Sequence, residues 1–273
     1  MNAYEGKVAI VTGGGSGIGR ALCEELARRG TIVIIVDINE DGAQQVASSI
    51  NEAGGCAQAA QVDVRNAGEI RSLIETTTAR FGRLDYMFNN AGTNVGGEVR
   101  DLDLVHWQRI VDTNLWGVVH GTCIAYAYMV KQGFGHIVNT ASLAGLTGLP
   151  TNTAYATTKH AVVGLSNSLR IEAAELGVKV SVVCPSFVQT NGLEALTVIN
   201  ARREDLTGNI PLKPISPARA ARKILKGVAA NKGIIVFPFY ARLIWWLWRL
   251  NAALLLPIGT QMVKKFRTAR VDS

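Results

Sequence analysis

The strongest constraint on the fold is a series of short apolar runs without polar alternation, separated by longer amphipathic segments. Such strands are buried on both faces, which is typical of a parallel sheet covered by helices. Right-handed crossovers then predict an α/β fold, a doubly wound Rossmann sandwich of three layers with seven parallel strands. The predicted strands span residues 7–12, 31–36, 57–62, 84–88, 136–140, 178–183 and 233–237, and the predicted helices span residues 20–29, 40–53, 67–81, 104–130, 154–176 and 217–230.

The chain of 273 residues divides by charge rather than by a linker. No segment rich in Pro or Ser interrupts residues 1–238, so we expect one domain there and an extension over residues 239–273. The net charge of +7 arises in the C-terminal quarter, since residues 211–273 contain 12 Lys or Arg and a single acidic residue, Asp272. We therefore expect no nucleic-acid partner for the domain.

The cysteine, histidine and hydropathy patterns limit location and metal binding. The four cysteines form no CxxC pair and the four histidines no cluster, so we expect reduced thiols and no metal site. The N-terminus has no apolar leader with a cleavage site, and no run reaches about 18 uncharged apolar residues. These features predict a cytoplasmic protein.

A glycine-rich segment, TGGGSGIG at residues 12–19, joins the first predicted strand to the first predicted helix. Glycine has no Cβ, so such a loop turns sharply and lets a pyrophosphate approach the backbone. The following helix presents unpaired N–H groups to that anion. A structural tight turn is the alternative. The candidate nucleotide-binding residues of this loop are Gly13, Ser16, Gly17, Ile18 and Gly19.

Asp37 ends the second predicted strand, 18 residues after Gly19. A carboxylate at this place accepts hydrogen bonds from the adenosine ribose hydroxyls and repels a 2′-phosphate. Neither Ile38 nor Asn39 offers a cation for that phosphate. The pattern favours NAD over NADP as the cofactor, although a solvated strand-end acid or a helix cap would leave the same pattern.

Tyr155 and Lys159 are four residues apart on a predicted helix and therefore share one face. An ammonium group beside a phenol favours the phenolate, so the pair is suited to acid–base chemistry at a carbinol or carbonyl carbon. Alone, this spacing is common by chance and is more typical of a surface pair. Ser142 follows the fifth predicted strand, at the sheet edge where ligands bind in this architecture, and its hydroxyl is a candidate partner for a substrate oxygen.

These motifs together resemble the short-chain dehydrogenase/reductase family, in its form of about 250 residues. The resemblance covers residues 5–238. The motifs that carry it are TGGGSGIG, Asp63-Val64 after the third strand, NNAG at residues 89–92, Asn114 in NLWG, Ser142, and YATTK at residues 155–159.

The resemblance implies a role for each matched residue. Tyr155 would be the acid/base, Lys159 would bind the nicotinamide ribose and lower the pKa of Tyr155, and Ser142 would orient the substrate oxygen. Asn114 would hold a water in a proton relay through Lys159. The chain departs from the family at Ser186, a position that is usually glycine. Further cofactor contacts would come from Asp63, Val64, Asn90, Ala91, Gly92, Val188 and Thr190.

Two segments lie outside these motifs. Residues 189–215 occupy the place of the family's variable substrate loop, and their aliphatic side chains favour an apolar substrate. The extension contains ARLIWWLWRL at residues 241–250 and a basic cluster over residues 264–270, a combination suited to a membrane interface. The alternative is a helix that packs on its own domain or on another subunit and covers the substrate cleft.

The sequence thus predicts an NAD-dependent oxidoreductase that interconverts a secondary alcohol and a ketone on a hydrophobic steroid-, lipid- or aryl-like substrate. The alternatives are an NADPH-dependent carbonyl reductase and a non-catalytic NAD-binding sensor or scaffold. The resemblance also implies a homodimer or homotetramer formed through the helices at residues 104–130 and 154–176. Peripheral membrane contact by the extension is a further expectation.

Overall fold

A computed structural model describes residues 2–189, 197–201 and 214–270. The strands are β1 (Val8–Thr12), β2 (Ile32–Asp37), β3 (Cys56–Gln61), β4 (Tyr86–Asn89), β5 (Val95–Gly96), β6 (Gly135–Thr140), β7 (Val178–Pro185), β8 (Thr197–Val198) and β9 (Ile234–Phe237). Seven of them form a parallel sheet in the order β3-β2-β1-β4-β6-β7-β9. The predicted seven-stranded doubly wound sheet is confirmed, and its direction of winding reverses between β1 and β4.

The helices are α1 (Gly17–Arg28), α2 (Glu40–Glu52), α3 (Ala67–Phe81), α4 (Leu104–Val111), α5 (Gly117–Gln132), α6 (Thr153–Glu172), α7 (Pro217–Ala229), α8 (Phe239–Leu250) and α9 (Leu256–Thr268). Asn39 and Asn66 cap α2 and α3, because each side chain accepts a hydrogen bond from an amide of the first turn. Gly82 and Gly133 end α3 and α5 in the left-handed conformation that glycine adopts without strain.

Helices cover both faces of the sheet, which confirms the three-layer sandwich. On one face α1, α2 and α7 bury side chains such as Leu26, Val46 and Ile224. On the other face α3 and α5 contribute Ile70 and Met129. Full burial of an aliphatic side chain of this size contributes about 1.5–3 kcal/mol, so these two layers supply most of the drive to fold.

The helix predicted over residues 104–130 is present, and helical backbone runs without a break from Leu104 to Gln132. Within it, a π-helical turn over Asp112–Trp116 separates α4 from α5. The helix predicted over residues 154–176 ends at Glu172. A small parallel pair, β5 with β8, was not predicted, because two-residue strands carry no periodic signal.

The C-terminal extension folds back over the domain. It comprises α8, a 3₁₀ turn at Ala252–Leu255, and α9. Arg267 donates two hydrogen bonds, of 3.0 and 2.7 Å, to Oε1 of Glu98, and Arg270 donates two of 2.8 Å to Asp101. The Arg267 guanidinium is the main cause that lowers the pKa of Glu98 to about 2. These ion pairs hold the end of α9 against the segment that follows β5.

The described residues also show the state of the cysteines, whether a metal-binding cluster is present and whether a helix could cross a membrane. All four cysteines are free, Cys23 and Cys184 being buried and Cys56 and Cys123 exposed. In the described ranges no cluster of three His, Cys, Asp or Glu side chains could hold a metal ion. None of the described helices is both long enough and apolar enough to cross a membrane.

The ion pairs at Glu98 and Asp101 should determine how tightly α9 is held. We expect the double variant Glu98→Gln/Asp101→Asn to exchange its amide hydrogens in Leu256–Thr268 several-fold faster, because uncharged partners hold the two guanidinium groups less strongly. Hydrogen exchange with mass spectrometry measures this. Glu24→Gln, which breaks the exposed pair with Arg20, is the matched control and should leave α9 unchanged.

Candidate active site

The glycine-rich loop forms a tight cradle between β1 and α1. Gly13 and Gly17 have φ values of +65° and +53°, a region that favours glycine. A Cβ on Gly13 would lie 2.9 Å from the Cα of Ala91, and a Cβ on Gly19 would overlap the carbonyl oxygen of Gly13. Ser16 stands at the N-cap of α1 without a side-chain cap, and the first turn holds no acidic residue. The cradle therefore has the shape and the free amides that a dinucleotide pyrophosphate would require.

Thr12 joins this cradle to the segment after β4. Its hydroxyl oxygen accepts hydrogen bonds from the amides of Asn90, at 2.9 Å, and Ala91, at 3.0 Å. The Asn90 side chain donates to the carbonyl oxygen of Thr12 at 3.1 Å. The structure thus brings the TGGGSGIG and NNAG motifs together at the reversal point of the sheet.

Asp37 lies where the sequence analysis placed it, at the end of β2 against the glycine-rich loop. Its Oδ2 accepts a hydrogen bond of 3.0 Å from the amide of Gly15, and its Oδ1 accepts one of 3.0 Å from the amide of Asn39. The carboxylate is therefore anchored by two backbone amides beside the nucleotide cradle.

Asp63 and Val64 follow β3, but their contacts differ from one another. The Asp63 carboxylate is paired with the guanidinium of Arg65, whose Nε lies 2.9 Å from both oxygens, and this hydrogen bonding lowers the pKa of Asp63. Val64 is buried, and its carbonyl oxygen lies 3.0 Å from Nδ1 of His120. The Asp63–Arg65 pair is a feature that the sequence analysis did not anticipate.

Ser142, Tyr155 and Lys159 converge at the carboxyl ends of β6 and β7. Nζ of Lys159 donates a 2.9 Å hydrogen bond to the carbonyl oxygen of Thr140 and lies 5.5 Å from the centre of the Tyr155 ring. Oγ of Ser142 accepts from the amide of Ala144 at 3.1 Å. The shared helix face and the strand end thus form one group of three side chains.

Burial opposes charge on both partners of the Tyr155–Lys159 pair. Desolvation raises the pKa of Tyr155, and a hydrogen bond with Ser142 acts in the opposite direction. Burial lowers the pKa of the Lys159 ammonium to about 8. Both shifts have the cause expected for ionisable groups in a site with little water.

Asn114 lies in the π-helical turn and is fully buried. Its Oδ1 accepts from the amide of Thr93 at 2.8 Å, and its Nδ2 donates to the carbonyl oxygen of Thr93 at 2.8 Å. A Cβ on Gly92 would lie 3.2 Å from Oδ1 of Asn114 and 3.6 Å from Nζ of Lys159. Asn114 and Lys159 therefore both lie next to the Cβ position of Gly92, which leaves little room for a side chain there. A π turn at a functional side chain is a recurrent arrangement.

The segment after β7 accommodates Ser186 without backbone strain. Ser186 is absent from the described non-glycine residues with positive φ, and its amide donates to the carbonyl oxygen of Phe237 at 2.9 Å. Val188 is buried and forms an isolated parallel β-bridge with Ile215. Thr190 and most of the predicted substrate loop at residues 189–215 lie outside the described residues.

Sequence reasoning missed three residues that organise the site. The Thr12 hydroxyl and the Thr140 carbonyl hold the motifs in place, yet each looks like an ordinary strand-end threonine. Trp248 of α8 approaches the segment after Ser142, since a Cβ on Gly148 would lie 3.0 Å from its ring. The tryptophan-rich pattern marked this helix, but no sequence signal identified which tryptophan faces the domain.

Comparison with known proteins agrees with this geometry. The short chain dehydrogenase family matches residues 7–198. The putative oxidoreductase SadH of Mycobacterium tuberculosis is 33% identical over 247 residues, 89% of this chain and 90% of its own length. Cyclohexanol dehydrogenase of an Acinetobacter species is 36% identical over 192 residues, 69% of this chain and 76% of its own length.

A solved structure extends the comparison to three dimensions. A short-chain dehydrogenase/reductase of Burkholderia phymatum, in complex with NAD, superposes with a TM-score of 0.86 and 28% identity, covering 93% of this chain and 96% of that one. The chain belongs to the short-chain dehydrogenase/reductase family. It is an NAD(P)-dependent oxidoreductase that acts on CH–OH groups.

The cradle predicts a severe effect of any side chain at Gly19. We expect Gly19→Ala to abolish measurable NAD binding and to lower the free energy of unfolding by about 1–3 kcal/mol, because its Cβ would overlap the carbonyl oxygen of Gly13. Calorimetric titration with NAD and urea unfolding measure the two effects. Gly164→Ala is the matched control, since nothing lies within 4 Å of its Cβ; equal NAD affinity in both variants would contradict the prediction.

Proposed function

We propose that this protein interconverts secondary alcohols and ketones, with NAD as cofactor and a hydrophobic molecule as substrate. The observation that carries the proposal is the convergence of Ser142, Tyr155 and Lys159 beside a glycine cradle that excludes side chains. A non-catalytic sensor would need the cradle but not this acid–base group. The complete set therefore favours catalysis over binding alone.

Each polar side chain of the site has a separate role in proton transfer. Bound NAD supplies the acceptor or donor of the hydride. In alcohol oxidation the Tyr155 phenolate takes the hydroxyl proton and becomes the phenol; in the reverse direction the Tyr155 phenol gives its proton to the ketone oxygen. Ser142 hydrogen-bonds the same substrate oxygen. Lys159 donates one of its three N–H bonds to Thr140, which leaves donors for the ribose hydroxyls. Asn114 holds the inner end of a water-mediated proton path at Lys159.

The α1 amides and Asp37 make the remaining contacts with the cofactor. The amides of the first α1 turn bind the pyrophosphate, and Asp37 accepts from the adenosine ribose. The second candidate activity, an NADPH-dependent carbonyl reductase, is disfavoured because the anchored Asp37 carboxylate would repel a 2′-phosphate. The NAD complex of the Burkholderia relative supports the same choice.

Apolar surroundings support a hydrophobic substrate. Leu143, Leu146 and Trp245 belong to one apolar cluster next to Ser142, and Trp248 lies over Gly148. The name of the Acinetobacter relative, cyclohexanol dehydrogenase, is that of an enzyme for a compact apolar secondary alcohol. Exposed apolar side chains on α4 and α6, Leu104, Val105 and Ile171, support assembly into a homodimer or homotetramer through these helices.

Replacement of Tyr155 tests the mechanism. We expect Tyr155→Phe to lower kcat for cyclohexanol, or for a larger secondary alcohol, by about 10²–10⁴-fold, because the general base is lost. The Kd for NAD should stay within about twofold, since the ring remains. NADH absorbance and calorimetry measure these quantities.

The wild-type pH profile provides a second readout of the same residue. Because burial raises the pKa of Tyr155, alcohol oxidation should become faster as the pH rises towards that pKa, and Tyr155→Phe should remove the slope. Tyr128→Phe, which changes only a hydroxyl bound to Glu75 at the surface, is the control. An unchanged kcat in Tyr155→Phe would refute the mechanism.

Replacement of Asp37 tests the choice of cofactor. We expect Asp37→Asn to raise the ratio of kcat/KM for NADP over NAD by at least about tenfold, because unit charges about 4 Å apart near a protein surface repel by a few kcal/mol. An amide oxygen still accepts from Gly15, so the loop is preserved. Asp41→Asn, which changes an exposed carboxylate on α2, is the matched control. A wild-type enzyme that prefers NADP would overturn the assignment of NAD.

A further inference from the structure

Helix α8 leaves one apolar stripe uncovered. Phe239, Leu243, Trp246 and Leu250 are 80, 50, 59 and 66% exposed. Their spacing of four, three and four residues places them on a single helix face. Four large apolar side chains in one row give the helix an outer surface that water solvates poorly.

The opposite face of α8 is already packed. Ala241 is fully buried, and Tyr240 and Trp245 join the apolar cluster that includes Leu146. Trp248 approaches Gly148 on the same side. The exposed stripe is therefore a second apolar face of a helix whose first face already binds the domain.

Further exposed apolar side chains follow α8 along the chain. Leu254 in the 3₁₀ turn and Leu256, Ile258 and Met262 in α9 are 42–60% exposed. Of sixteen exposed large apolar side chains in the described residues, eight lie in this segment. We call the set the tail face: Phe239, Leu243, Trp246, Leu250, Leu254, Leu256, Ile258 and Met262.

The charges around the tail face have one sign. Residues 239–270 contain no Asp or Glu and six Lys or Arg. Arg267 and Arg270 are paired with Glu98 and Asp101. Within the described part of the chain, the other four cations have no carboxylate within ion-pair distance; they are Arg242, Arg249, Lys264 and Lys265.

We propose that the tail face docks on the surface of an anionic phospholipid bilayer. Exposed apolar side chains bounded by basic residues, with a tryptophan among them, match a helix pair that lies in the plane of the interface. The anionic headgroups supply the negative charge that the protein lacks here. A symmetric contact with a second copy would instead bring like charges together, because this face carries no carboxylate.

The proposal does not depend on the substrate or on the reaction. It follows from the exposure and charge of the extension alone, and NAD turnover serves only as a check that the variants are folded. Docking would nevertheless place the extension, whose inner face contacts Gly148, between the bilayer and the Ser142 segment.

Sedimentation of the full-length protein with vesicles tests the proposal. We expect it to sediment with vesicles of phosphatidylcholine containing about one third phosphatidylglycerol, and much less with phosphatidylcholine alone, with binding that weakens as salt is raised. Leu243→Ser/Trp246→Ser should weaken the partition at least about tenfold, because two exposed apolar anchors are lost. Leu176→Ser, an exposed apolar residue elsewhere, is the matched control.

A second variant keeps the test independent of the apolar substitutions. Lys264→Glu/Lys265→Glu should weaken binding to the anionic vesicles, whereas Lys223→Glu/Lys226→Glu on α7 should do so much less. Failure of the wild-type protein to sediment with anionic vesicles would overturn the proposal. So would a smaller oligomer for Leu243→Ser/Trp246→Ser without any vesicle binding by the wild type, since the tail face would then be a contact between copies.

Discussion

The hydroxyl of Thr12 links the ends of β1 and β4, two paired strands, at the point where the winding of the sheet reverses. It accepts hydrogen bonds from the amides of Asn90 and Ala91, so the chain after β4 lies directly against the start of the glycine-rich loop. The close approach of Gly13 to Ala91 depends on this junction. One residue further on, the Cβ position of Gly92 lies close to both Asn114 and Lys159. The Thr12 junction therefore connects the nucleotide cradle to the segment that borders the acid–base group.

Lys159 is a cation in that arrangement, and burial destabilises its charged form. Its side chain is almost fully buried, and its described hydrogen bond is to a neutral carbonyl, that of Thr140. Burial costs the ammonium hydration free energy that one neutral acceptor does not restore, which is why its pKa falls to about 8. In so dry a place, a charge on a bound ligand acts strongly on both Lys159 and Tyr155. Binding of a charged ligand would therefore change the proton affinity of Lys159 and of Tyr155.

The fold was predictable from the sequence because its signals are local. Six of the seven sheet strands are short, mostly buried runs, the exception being β3 at the sheet edge. The glycines of the cradle all lie within one stretch of eight residues. The bonds that complete the site are not local. Thr12 and Asn90 are 78 residues apart, and Arg267 and Glu98 are 169 residues apart, so no periodicity connects them. The π turn at Asn114 was missed because the helical pattern continues on both sides of it.

For the extension, the sequence did not determine which face of the helix packs on the domain. Helix α8 is apolar around most of its circumference, so hydrophobic periodicity alone does not say which face turns inward. The structure resolves the choice through Gly148, where a Cβ would lie 3.0 Å from the ring of Trp248. Because a side chain at position 148 would crowd the indole, Gly148 favours the helix rotation that turns Trp248 towards the domain, the same rotation that buries Ala241. That rotation leaves Leu243 and Trp246 outward, so the apolar outer surface follows from which side of α8 packs on the domain.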